Sequence, residues 1–170
     1  RWLDGRWTSV AAVAALVAGA LLAWSPQTAN ADGTVTCWVK NLDSGAVHGS
    51  ALQQAIDDAA AGNRVKVRGR CVGNFVIDKS LTLVGARKDY EPVPTLDGDD
   101  NGTVLVTSGV TSRVWLVNLM ITHGNAFNAS PFAFAGGGIF NDGARVFLAG
   151  STSVTRNEAG DVGGGIFNDG

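Results

Sequence analysis

The sequence predicts an all-β fold, a solenoid of stacked parallel strands entered through one N-terminal helix. Three observations predict it. The eight residues GGGIFNDG run from Gly136 to Gly143 and recur letter for letter from Gly163 to Gly170. The stretch RVWLVNLMITHGN (Arg113 to Asn125) aligns with RVFLAGSTSVTRNE (Arg145 to Glu158) once one residue is inserted. From Arg64 on, short runs that alternate or are wholly apolar are each bounded by Gly, Asn or Asp, with no helical periodicity. Strand, turn, strand and loop, repeated with a period of roughly 20 to 35 residues, denote stacked supersecondary units rather than a closed globule.

The first 31 residues read as a leader outside the fold. Arg1 and Arg6 precede the apolar run Val10 to Trp24, Pro26 breaks it, and Ala29-Asn30-Ala31 has the small-x-small pattern of a signal-peptidase site. A membrane anchor is the alternative, but the run falls short of the roughly 20 residues a spanning helix needs. The mature chain is expected to begin at Asp32, to be secreted or held at the cell surface, and to keep no membrane span. Residues 32–63 then form an N-terminal strand and helix, and 64–170 the coils.

The net charge is −2 and no Lys/Arg cluster stands out, which argues against a nucleic-acid partner. The 23 glycines, set between short β-branched runs, exclude a helical bundle. There are two cysteines, Cys37 and Cys71. Export to an oxidising compartment makes a disulfide the expected state, tying the leading strand to the first coil. Zinc would need further ligands, and neither His48 nor His123 is spaced to supply them.

Thr34 to Val39 alternates as a short strand. Ser50 and Gln53 make a capping box, Leu52, Ala55, Ile56 and Ala59 share one helical face, and Gly62-Asn63 closes the helix. Strands are expected at Val65–Val67, Phe75–Ile77, Leu81–Val84, Thr103–Thr107, Val114–Val117, Leu119–Thr122, Ile139–Phe140, Val146–Leu148 and Ser153–Thr155. Stacking at strand spacing, about 4.8 Å, places Ile139 over Ile166, Phe140 over Phe167 and Asn141 over Asn168. The Asn side chains should then bond in file and the rings pack in file. Gly136, Gly137, Gly138 and their copies Gly163, Gly164, Gly165 supply positive φ and close backbone approach at this corner.

The segment SALQQAIDDAAAGNRVKVRGRCVGNFVIDKSLTLVGA, an amphipathic helix leading into strands, resembles the N-terminal cap of right-handed parallel β-helix proteins of the pectin-lyase-like class. The GGGIFN corners are similar to the repeats of polymorphic outer-membrane proteins. The resemblance spans about Thr34 to Gly170 and implies a right-handed parallel β-helix. It does not fix an activity, because such folds host lyases, hydrolases, adhesins and scaffolds alike.

No catalytic constellation emerges, so no catalytic residue is assigned. Asp97, Asp99 and Asp100 in LDGDD have the hard-oxygen chemistry for Ca²⁺, with a solvated turn as the alternative. Apart from that Ca²⁺, no cofactor is expected. Arg113 and Arg145 fall one layer apart and could hold an acidic sugar chain, or act as solvated strand-edge residues. The irregular loop GNAFNASPFAFA carries Phe127, Phe132 and Phe134, which could stack on sugars or contact a protein, or fold back as a local cap. The expected function is a secreted or cell-surface scaffold, adhesin or carbohydrate-contacting module, with a polysaccharide or cell-surface partner. The alternative is a polysaccharide lyase or hydrolase acting on acidic polysaccharide. Further GGGIFN corners are expected after Gly170, and end-to-end association of the chain without them.

Overall fold

The computed structural model describes residues 36–127 and 135–170. The leader, Phe132 and Phe134 lie outside them. The first elements are β1 (Trp38–Asn41), β2 (Val47–Gly49), α1 (Leu52–Asp57), β3 (Arg64–Arg68), β4 (Arg70–Val72) and β5 (Phe75–Ile77). Next come β6 (Leu81–Gly85), β7 (Thr95–Asp97), β8 (Leu105–Ser108), β9 (Arg113–Val117) and β10 (Met120–Thr122). The chain continues through β11 (Ile139–Asp142), β12 (Arg145–Ala149), β13 (Ser153–Val154) and β14 (Ile166–Asp169). The protein is all-β apart from α1, and most of its strand pairs are parallel.

The strands form three sheets, ordered β12-β9-β6-β3-β1-β2, β13-β10-β7-β4 and β14-β11-β8-β5. The two four-stranded sheets are wholly parallel. In the six-stranded sheet β1 pairs antiparallel with both β2 and β3. This corrects the resemblance to pectin-lyase-like β-helix proteins and to polymorphic outer-membrane repeats. The described residues make three short sheets packed as one sheet-rich domain, two of them all-parallel and one mixed, and no single solenoid of rungs is shown. The departure begins at Asn41. Its side-chain oxygen accepts the N–H of Asp43 (2.9 Å) and of Ser44 (3.1 Å), an Asx turn that folds the leading segment back on itself.

The core is made of files of register partners. Val65, Leu83 and Leu116 align in the six-stranded sheet, Cys71, Leu96 and Ile121 in the second, and Phe75, Leu105 and Ile139 in the third. All nine are buried. The alternation that points these side chains inward points their neighbours out, so Arg113, Trp115, Arg145 and Phe147 lie on the outer side of the six-stranded sheet.

α1 packs Leu52, Ala55 and Ile56 inward, and Ala59 just beyond it is buried too, as the helical spacing predicts. The capping box does not form. Ala51 occupies the N-cap with no side-chain hydrogen bond. Gln53 is drawn instead to the unpaired edge of β5, accepting the Val76 N–H (2.8 Å) and donating to the Val76 carbonyl (3.1 Å). One amide thus satisfies both backbone groups of an edge residue. Among the described residues, no helix is long and apolar enough to cross a membrane.

Candidate functional site

The densest polar cluster lies where β7 ends. Val72, Asp97 and Thr122 are register neighbours on β4, β7 and β10. The Asp97 side chain points away from the core face that Leu96 occupies, yet the residue is only 2% exposed. Arg70 Nε donates to its Oδ2 at 2.7 Å, His123 Nδ1 lies 3.0 Å from the same oxygen, and the Asp99 N–H donates to Oδ1 at 2.9 Å. Burial pushes the Asp97 carboxyl upward, but the bonds from Arg70, the Asp99 backbone and His123 together outweigh it and hold the pKa down at about 2. The same carboxylate raises the pKa of Arg70 further. An ionised carboxylate only accepts, so His123 Nδ1 must carry the proton. Nε2 of His123 makes no hydrogen bond among the described residues, on a side chain 39% exposed.

This arrangement bears on Ca²⁺. Both Asp97 oxygens are engaged by protein donors. Asp99 is exposed, with one oxygen 3.4 Å from Arg70 Nη2, and Asp99 and Asp100 both turn through left-handed backbone at φ 52° and 55°. Among the described residues no three His, Cys, Asp or Glu side chains converge as a metal site would require. Arg70 was not singled out in the sequence, and His123 was weighed there only as a zinc ligand and set aside. Their signal was the repeat itself, since Arg70 and Asp97 stand 27 positions apart, the same spacing as Asn141 and Asn168.

A second set of side chains lies on the outer side of the six-stranded sheet. Arg113 and Arg145 are register partners, as are Trp115 and Phe147. Neither arginine forms an ion pair among the described residues. The two rings are stacked, with centroids 4.2 Å apart and planes 12° from parallel. Each ring thereby spends one face on the other, so the pair stiffens the surface more than it offers a stacking platform.

The corner residues of the two copies pair in register. β11 pairs with β14 as Ile139↔Ile166, Phe140↔Phe167 and Asn141↔Asn168. The Asn141 amide donates to Asn168 Oδ1 and to the Ala144 carbonyl, and its own oxygen accepts from Thr107 Oγ1 at 2.6 Å. The phenylalanine rings stack with centroids 5.3 Å apart. Positive φ is needed only at the first glycine of each triplet, Gly136 (66°) and Gly163 (65°). Gly137 serves close approach instead, since a Cβ there would sit 2.0 Å from the Glu158 carbonyl oxygen. Gly138 is crowded too, with a Cβ 2.5 Å from the Gly165 carbonyl oxygen, and Gly164 is tight at 3.1 Å from the Asn157 carbonyl oxygen, whereas Gly165 has room.

Cys37 and Cys71 form the expected disulfide. Phe127 is 45% exposed, its N–H donating to Asn125 Oδ1. The structure therefore gathers Asp97 with Arg70 and His123, and files Arg113 with Arg145, but brings neither group to the other. No protein-family model, curated protein or solved structure matches the chain, so the resemblance to pectin-lyase-like and polymorphic outer-membrane proteins has no support from relatives and the fold rests on the residues themselves.

Proposed function

We propose that the protein is a secreted or cell-surface scaffold whose outer strand face contacts carbohydrate, and that its strands wind as a right-handed parallel coil with α1 covering the first turn. The winding is supported by the strand order, in which parallel partners are three strands apart in every sheet and in which parallel crossovers are right-handed in nearly all cases. Export is supported by the leader pattern and by the Cys37–Cys71 bond.

The observation that carries the contact function is the filing of Arg113 over Arg145 on a sheet stiffened by stacked rings. Two guanidinium groups one strand apart offer bidentate donors to successive anionic groups of an extended chain. A glycan array probed with the secreted chain tests this. Acidic glycans should be retained, and Arg113→Ala combined with Arg145→Ala should weaken retention about tenfold, roughly 1.4 kcal/mol. Retention of no glycan sinks the proposal.

A second reading, a polysaccharide lyase or hydrolase, is favoured by one observation, the Asp97-oriented His123 ring with its unbonded Nε2. Appearance of cleaved product in the same incubation, lost in His123→Ala, would replace the scaffold by an enzyme.

A further inference from the structure

A cleft of about 350 Å³ lies at the far end of the six-stranded sheet, lined by Gly85, Arg87, Val93, Pro94, Asn118 and Ser151 among others. We propose that it binds one acidic sugar unit, a pyranose bearing a carboxylate or sulfate. The inference rests on the carbohydrate-contact reading and names a separate place and chemistry for it.

One wall is a file of corners. Gly85 ends β6, and Asn118 and Ser151 follow β9 and β12, at the same end of three paired strands. Asn118 holds left-handed backbone at φ 55° and accepts the Ser151 N–H on Oδ1 at 3.0 Å. That bond fixes the amide's orientation and leaves its Nδ2 donor unused among the described residues. The Ser151 hydroxyl is unused as well. The other wall is the connection from β6 to β7. Glu91 anchors it, accepting the Lys88 N–H at 2.8 Å and pairing with Arg68. Pro94 is buried, and its carbonyl accepts the Met120 N–H at 2.9 Å. The loop is therefore held before any ligand arrives.

The chemistry of the lining selects the ligand. Arg87 is the sole charged residue lining the cleft, and it forms no ion pair or hydrogen bond among the described residues. Its planar fork suits a carboxylate or sulfate. Asn118 Nδ2 and the Ser151 hydroxyl are neutral donors for ring hydroxyls. Val93 and Pro94 give an apolar wall for the C–H face of a sugar. The volume falls at the small end of ligand sites, which run from roughly 300 to 1,000 Å³, and the exposed lining is more polar than apolar, as suits a hydroxyl-rich ligand.

The test is an NMR titration of the full chain with a glucuronate-containing disaccharide and, separately, with its neutral glucose counterpart. The acidic probe should move the backbone amides of Gly85, Asn118 and Ser151, and the neutral one should bind at least tenfold more weakly. Arg87→Gln should lower affinity for the acidic probe about tenfold, and Ser151→Ala about threefold. Arg87 is exposed and unpartnered, so its variant should keep the amide spectrum of the folded protein. Unmoved amides at the cleft, unchanged affinity in Arg87→Gln, or equal binding of both probes would each overturn the proposal. An array positive for acidic glycans beside an Arg87→Gln variant that binds normally would remove the cleft alone and leave the arginine face standing. If nothing binds in either assay, both readings fall.

Discussion

Leu116 and Leu148 are register partners on adjacent strands, yet Leu116 is fully buried and Leu148 is 43% exposed. The same holds for Ile139, buried, and its partner Ile166, 45% exposed. The opposite end of the stack is closed by α1, by the β1–β2 hairpin and by the disulfide. Strands β12, β13 and β14 are the last in their sheets among the described residues. Side-chain chemistry is matched across each file, so the difference in burial comes from stacking alone. A strand in this protein contributes a full core residue only when both of its sides are covered, by another strand or, as at β5 and β4, by α1 and the disulfide-linked leading segment.

The largest effect expected from this contrast is in paired truncations. Leu116→Ala should cost about 4 kcal/mol, as for a fully buried leucine, while Leu148→Ala should cost less than about 1 kcal/mol. Urea denaturation of the two variants measures the gap directly, and equal losses would mean that Leu148 is covered in solution.

The closed end can be loosened separately. Replacing Cys37 and Cys71 by serine opens a loop of 34 residues in sequence separation, which should cost about 4 kcal/mol. Hydrogen exchange should rise at β1, β3 and β4 well before it rises at β11. Uniform loss of protection would mean that the two ends unfold as one unit.

A smaller effect sharpens the picture in the middle of the β13-β10-β7-β4 sheet, where Asp97 ties β7 to β4 through Arg70 and to the end of β10 through His123. Its carboxyl is held at about 2, against an ordinary value of 3.8. A depressed folded value means the contribution is complete above pH 3.8 and is lost as the pH falls toward 2. Between those limits the wild type should lose about 1 to 2 kcal/mol, allowing for the solvent around half-exposed Arg70. Asp97→Asn should show no such slope in acid denaturation.

Legibility in the sequence followed repetition. Arg113 over Arg145, Trp115 over Phe147 and Asn141 over Asn168 could be read because like residues recur at one spacing. The buried face of α1 was legible for a similar reason, since its periodicity is internal to the helix. The β1–β2 hairpin was not, because it depends on Asn41 bonding the two residues that follow it instead of continuing a strand. The capping box failed because Gln53 had a better partner in Val76, a residue 23 positions away. The site around Asp97 was half visible. LDGDD looked like a turn or a cation loop, while Arg70 and His123 lie on or beside neighbouring strands and differ in type, so only the 27-residue spacing from Arg70 to Asp97 pointed to the pair.

The letter-for-letter identity of β11 and β14 has a consequence for assembly of the chain. Thr107 bonds the amide of Asn141, and Asn168 carries the same amide in the same octapeptide. Within those eight residues nothing tells β8 which copy to accept. The choice must be made by the flanks, where Val146 and Phe147 have partners in Val114 and Trp115. The two copies are interchangeable parts, and at high concentration during refolding the second copy of one molecule can fill the seat of the first copy in another. Exchange of layers between chains is thus built into the device that gives the stack its regularity.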